Sequence, residues 1–168
     1  GMDIAARQQN RYDLPLPPAV DHDHAVERVK VGIEHFQTLC DMGLLTRCTG
    51  ADALEKAIHD QPLAAVLHME GAEAIGPDFA ELDWLYDAGL RSIGPVWSRP
   101  TAYGHGVPFR YPSDSDIGPG MTEAGKALVK ECNRRKIMVD LSHLNMAGLR
   151  DIAEISDAPL VATHSNAH

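Results

Sequence analysis

KIMVDLSHLNMAGLRDIAEISDAPLVATHSNAH, residues 136–168, contains two short apolar runs that stop in the same way. VDLSH (139–143) and LVATHS (160–165) each finish on serine and histidine side by side, and a stretch with helical spacing separates them. NMAGLRDIAEIS (145–156) reads as that helix, capped by Asn145, between strands IMVDLSH (137–143) and PLVATHS (159–165). Strand, helix and strand in this order form a crossover unit of a parallel sheet.

The same alternation continues upstream. TEAGKALVKECNRR (122–135) predicts a helix with Thr122 as N-cap and Leu128, Val129 and Cys132 buried. LRSIGPVW (90–97) is strand-like, and DFAELDWLYDAG (78–89) sets Phe79, Leu82, Leu85 and Tyr86 on one helical face with glycine at its end. LAAVLHMEG (63–71) is a continuous apolar run suited to a strand buried on both faces. A short helix is expected at 51–59. A long amphipathic helix is expected over 22–42, with Val26, Val29, Ile33, Phe36, Leu39 and Cys40 on its apolar face and Gly43 placed to end it. Residues 1–20 carry Pro15, Pro17 and Pro18 and no sustained period, so an irregular lead-in is expected within a single domain spanning 1–168. Gly1 before Met2 reads as the scar of a cleaved tag.

Four strands alternating with helices make the fold class α/β with a parallel sheet and right-handed crossovers. Two architectures satisfy the pattern: an open doubly wound sheet, or part of a (β/α)8 barrel. A dinucleotide-binding sheet would carry G-x-G-x-x-G straight after a strand, and no such turn is present; GHG at 104–106 is too short and lies in a long loop. The strand ends favour the partial barrel. Glu70 closes the first strand, His143 the third and His164 the fourth, and in a barrel all C-terminal strand ends meet on one rim. One carboxylate and two imidazoles there make a partial site for a divalent metal such as zinc. A single histidine at a strand end is more often a hydrogen-bonded structural residue, but three polar ends in one register oppose the apolar character of their own strands.

Other histidines read differently. Asp21-His22-Asp23-His24 resembles a metal motif, yet its acids suit the cap and first turn of the long helix. His35 and His59 lie in helical segments. His105, in the shaped loop YGHGVPFRYP after the second strand, is expected on the substrate side of the rim.

Composition limits the partners. The sequence is 44% hydrophobic and 23% charged, with a formal charge of −9 and no run of lysine or arginine, which argues against nucleic acid. No apolar stretch reaches the roughly 20 residues of a membrane span, and no signal-peptide pattern opens the chain, so no membrane association and a cytoplasmic location are expected. Cys40, Cys48 and Cys132 lack paired spacing and are expected to be reduced, mostly buried small hydrophobes.

HMEG (68–71), DAGLRSI (87–93), GMTEAGKALVKECNRRKIMVDLSH (120–143) and APLVATHSNAH (158–168), in this order and spacing, resemble the membrane (renal) dipeptidase family, the M19 metallopeptidases. The resemblance implies an amidohydrolase-type barrel with two zinc ions. It makes Glu70 the catalytic carboxylate that bridges them and His143 and His164 the ligands of the second ion. It also implies that a hydroxide held between metals about 3.5–4 Å apart attacks the carbonyl carbon of a dipeptide, with a D-residue tolerated at the C-terminal position. Activity is expected to fall as acid protonates the ligating imidazoles.

The sequence departs from the family pattern in three places. No H-x-D pair precedes the long helix, and the later arginine and last-strand aspartate of the family are not reached by His168. Where the family has a substrate-contacting histidine after the second strand, Trp97 stands here, which leaves Trp97 and His105 as the substrate-side candidates. The chain is therefore expected to be the middle of a longer enzyme. As an isolated half barrel it would have open strand edges, weak or absent zinc and no activity, and it would form a homo-oligomer or need the complementary part of the barrel. The competing expectations are another metal-dependent amidohydrolase acting on a different amide, and a non-catalytic α/β association domain.

Overall fold

The structure, a computed structural model, describes residues 11–59 and 62–165. Among them the parallel strands follow one another in chain order. β2 (Leu45–Arg47) pairs with β3 (Leu63–Ala65), and after Val66 the chain continues as β4 (Leu67–Glu70), which pairs with β5 (Leu90–Gly94). β5 pairs in turn with β7 (Met138–Val139), and a parallel bridge from Asp140 to Val161 adds the next segment. An open doubly wound sheet would reverse its strand order at a switch point. The unreversed order is that of a (β/α)8 barrel wall, so the fold is a partial barrel.

The helices form where side-chain chemistry starts and stops them. Asp21 caps α1 (His22–Asp41), accepting from the His24 N–H at 3.1 Å, and α2 (Ala51–His59) follows. α3 (Glu81–Ala88) ends at Gly89, whose φ of 109° lies in the left-handed region. Thr122 caps α4 (Glu123–Arg135) through the Gly125 N–H, and Asn145 caps α5 (Met146–Ile155) through the Gly148 N–H. Leu82 and Leu85 of α3, Leu128, Val129 and Cys132 of α4 and Ile152 of α5 pack with Ile93 and Val139 into one core. At roughly 1.5–3 kcal/mol for each large side chain removed from water, this cluster is the main term holding the helices to the sheet.

Four expectations need correction. The last strand is reduced to the bridge at Val161, because Thr163 and His164 turn away to bond Asp140 and Ser142. The run 63–71 is not buried on both faces: Met69 is buried, but Leu63 is 69% and Val66 43% exposed, since the strand breaks at Val66 and shifts register after Leu67. The apolar stripe of α1 is also only partly covered, with Val26, Val29 and Ile33 against the core and Leu39 exposed. Finally, the lead-in is not wholly irregular, because β1 (Tyr12–Asp13) pairs antiparallel with β6 (Arg110–Tyr111) of the long loop. Residues 1–10 of that lead-in lie outside the described residues. Cys48 and Cys132 are buried, and burial first of all pushes the Cys132 thiol up to about 12. No helix among the described residues is long and apolar enough to cross a membrane.

Candidate metal centre

Three strand ends deliver three donor atoms to one point. Glu70 is the last residue of β4; Gly71, with φ of 89°, turns the chain outward there while its N–H donates to the Gly94 carbonyl at 3.0 Å. His143 follows β7 with φ of 68°, a left-handed conformation uncommon for residues other than glycine, and its carbonyl accepts from the Val107 N–H at 2.9 Å. His164 follows the Val161 bridge, with its N–H donating to Ser142 Oγ at 3.1 Å.

The result is a triangle. Glu70 Oε1 lies 3.0 Å from His143 Nε2 and 3.0 Å from His164 Nε2, and the two nitrogens are 2.9 Å apart. These atoms form a group able to hold a metal ion. The donor set fits: one carboxylate and two imidazoles are the nitrogen and oxygen ligands that zinc and similar divalent ions accept, and the spacing is that of neighbours in one coordination sphere. The triangle is also partly open to solvent, with the Glu70 side chain 41% and that of His164 46% exposed.

A buried polar layer lies behind the triangle. Asp140 is 1% exposed; its Oδ1 accepts from the Ser142 N–H at 3.0 Å and the Thr163 N–H at 3.1 Å, and its Oδ2 accepts from Thr163 Oγ1 at 2.5 Å. Burial pushes the carboxyl up, but these hydrogen bonds outweigh it and hold the group at about 2, so Asp140 is ionised. His68 places Nδ1 2.7 Å from Ser92 Oγ and Nε2 3.9 Å from Asp140 Oδ2. Its pKa is lowered, chiefly by burial, against the pull of Asp140 and Glu70.

Trp97 joins the triangle's surroundings: its ring stands edge-on to His143 at 6.4 Å and to Phe109 at 5.2 Å, with the Arg99 guanidinium 5.4 Å from its centroid. His105 lies on the loop clamped to the same region, through the Gly106–Leu144 bridge and the Asn145 N–H bond to its own carbonyl. Its Nδ1 sits 3.1 Å from the Gly120 carbonyl. Beside Glu70 opens a cleft of about 290 Å³ lined by His24, Arg28, Glu73 and Arg99 among others. His22 is spent elsewhere, 3.1 Å from the Glu73 carbonyl, and His35 and His59 are exposed on their helices.

Sequence reasoning did not assign Asp140, Thr163 or His68. His68 had a signal in its spacing, since it lies two residues before Glu70 on the same strand face. Asp140 had a weaker one, an acid inside an otherwise apolar strand.

Comparison with known proteins bears on the family and the fold. The pattern of the membrane dipeptidase family (peptidase family M19) matches residues 4–168. A solved structure of dipeptidase AC, an M19 metallopeptidase, superposes with a TM-score of 0.88 at 50% identity, covering 92% of this chain and 46% of that one. A metallopeptidase from Rhodobacter sphaeroides, solved with a phosphinate mimic of the dipeptide L-Ala-D-Ala, gives a TM-score of 0.88 at 48% identity over 96% of this chain and 47% of its own. An uncharacterized protein in the PQQ-III 3′ region of Acinetobacter calcoaceticus is 43% identical over 121 residues, 72% of this chain and 38% of that protein. The chain thus spans less than half the length of the curated relatives it matches.

Proposed function

This chain belongs to the membrane dipeptidase family, peptidase family M19, and from that premise we propose that it supplies the Glu70, His143 and His164 side of a zinc-dependent dipeptidase centre. The observation that carries the reading is the triangle of 2.9–3.0 Å edges made by atoms from three separate strand ends. Family membership implies a metal cofactor; the nitrogen-rich donor set favours zinc over magnesium or calcium, which prefer all-oxygen shells. When bound, zinc lowers the pKa of water toward neutrality and polarises a carbonyl.

The chain's own residues account for the rest of the proposed site. Glu70 contributes negative charge and two acceptor oxygens, of which Oε1 faces both imidazoles. Trp97 forms an apolar wall next to His143, and His105 lies on the loop that fixes this wall. The cleft beside Glu70 is lined by Arg28 and Arg99; Arg99 Nε is already bonded to Glu73 at 2.9 Å, so Arg28 is the guanidinium proposed to meet a peptide carboxylate. A dipeptide ending in a D-residue is the proposed substrate class, supported by the phosphinate mimic of L-Ala-D-Ala held by the Rhodobacter sphaeroides relative.

The test is metal content together with turnover. Protein that combines this chain with the complementary part of the barrel should bind zinc and hydrolyse L-Ala-D-Ala, and Glu70→Gln in it should lose turnover by several orders of magnitude. Normal rates in that variant would remove Glu70 from the centre, and zinc binding without dipeptide turnover would overturn the substrate class.

A further inference from the structure

A carboxylate that is 1% exposed with no arginine or lysine among the described residues bonded to it requires a reason. Asp140 receives the N–H and hydroxyl of Ser142 and the N–H and hydroxyl of Thr163. A threonine hydroxyl has one proton, and here Asp140 takes it. The same Thr163 Oγ1 lies 2.7 Å from His164 Nδ1. With its proton committed to Asp140, Oγ1 meets that nitrogen as an acceptor, so Nδ1 carries the N–H. A neutral imidazole protonated at Nδ1 leaves Nε2 as a lone pair, and Nε2 is the atom that faces Glu70 and His143.

We propose that Asp140 and Thr163 are positioning residues that set the Nδ1–H tautomer of His164 and so hold its Nε2 lone pair toward the Glu70 and His143 donors. The purpose of the device rests on the metal-centre reading; in metal-free protein the Glu70 carboxylate, 3.0 Å from Nε2, pulls the proton the other way, and the proposal is that the relay from Asp140 through Thr163 prevails over it. Second partners of ligating histidines fix ring orientation and tautomer in this way, and their loss weakens metal binding about 10–100-fold. The backbone reinforces the relay: the His164 N–H is bonded to Ser142 Oγ, two residues from Asp140, so ring and main chain are tied to one strand end. The reverse relay would need Asp140 protonated and donating to Thr163, which would put the His164 proton on Nε2, facing the other two donors.

The tautomer is read directly by long-range ¹H–¹⁵N NMR on ¹⁵N-histidine-labelled, chelator-treated protein at about pH 8, where ordinary histidine is neutral. His164 is identified by the signals lost in His164→Gln. The wild type should show Nδ1 as the protonated nitrogen and Nε2 as the bare one. Thr163→Val should shift His164 to a mixed or Nε2-protonated state and weaken zinc binding about 10–100-fold, and Thr163→Ser should restore both. An Nε2-protonated His164 in the wild type overturns the proposal without a mutant being needed, as does an unchanged tautomer in Thr163→Val. Failure of the metal reading gives a different result: the Nδ1–H tautomer present and lost in Thr163→Val, but no zinc bound in calorimetry by the wild type combined with the complementary part of the barrel.

Discussion

His143 Nε2 and His164 Nε2 stand 2.9 Å apart, and each is 3.0 Å from the same oxygen of Glu70. Two imidazolium ions cannot share such a site without strong repulsion, and neither can bind a cation while protonated. The first proton to enter the pair therefore competes with metal and opposes entry of a second. Bound zinc, measured after equilibrium dialysis across a pH series, should fall on the order of one decade in affinity per pH unit on the acid side. A slope near zero would show that these nitrogens do not hold the ion.

Removing one corner of the triangle should be more damaging than disturbing its support. His143→Ala and His164→Ala are each expected to weaken zinc binding by more than the roughly 10–100-fold typical of an outer-shell partner. The double variant should lose little more than either single one, because the remaining pair no longer encloses an ion. Calorimetric titration of the three proteins decides this; additive losses would mean that the two rings act at separate places.

Much of the site was legible in the sequence because it depends on strand ends. Glu70, His143 and His164 are polar residues closing apolar runs, and the parallel alternation alone places such ends on one rim. The supporting layer was harder to read. Thr163 is an ordinary residue in sequence, and its role comes from a hydroxyl that bridges Asp140 and His164. β2 was missed because three residues, Leu45–Arg47, are too few to show a period, and β1 with its two residues is shorter still. The last strand was overread because apolar LVA continues into Thr163 and His164, whose polar bonds end the pairing after Val161.

Tyr103 ties the long loop to the segment that follows Glu70. Its hydroxyl is buried and donates to the carbonyls of Ile75 at 2.7 Å and Gly76 at 3.0 Å, and burial, with help from Glu81 and Asp78, pushes its pKa up to about 12. Tyr103→Phe keeps the ring and leaves those carbonyls without this donor. A loss of about 1–3 kcal/mol is expected in urea denaturation; an unchanged midpoint would mean that another donor takes over.

Lys136 closes α4 with φ of 58° and ψ of 40°, a left-handed conformation that glycine adopts without strain. Its side chain is exposed and gives little to packing. Lys136→Gly should stabilise the fold by about 0.5–1 kcal/mol, the relief being partly offset by the greater freedom of glycine when unfolded. That corresponds to a rise in melting temperature of about 2 °C. A fall would show that the lysine side chain contributes more than its backbone strain takes away.

Glu131 makes part of the stability pH-dependent. Hydrogen bonds from Arg134 and then Arg135 hold its carboxyl down at about 2, against an ordinary value of 4.5, and Arg135 also reaches Asp83 of α3 at 2.6 Å. A carboxyl depressed on folding stabilises fully above its unfolded pKa and loses that contribution as pH falls through the folded one. Glu131→Gln should therefore be less stable than the wild type by a constant amount above about pH 4.5, with the gap closing toward pH 2. Parallel stability curves throughout that range would contradict the assignment.

Gly106 determines how closely the loop after β5 can approach the site. A Cβ there would run into the Trp97 carbonyl oxygen and lie 3.0 Å from Ser98 Cα, both backbone atoms that cannot rotate away. On its other side Gly106 bridges Leu144, and the next residue, Val107, donates to the His143 carbonyl. Gly106→Ala must separate the Trp97 strand end from the His143 turn, and that turn already holds a left-handed backbone that this hydrogen bond supports. Overpacking of this kind costs about 1–3 kcal/mol. The expected signature is a lower melting temperature together with weaker zinc binding through the displaced His143, while Tyr103→Phe lowers stability and leaves zinc affinity less affected, because Tyr103 bonds the carbonyls of Ile75 and Gly76 and not the His143 turn. If Gly106→Ala melts and binds zinc like the wild type, the loop does not hold His143 in place.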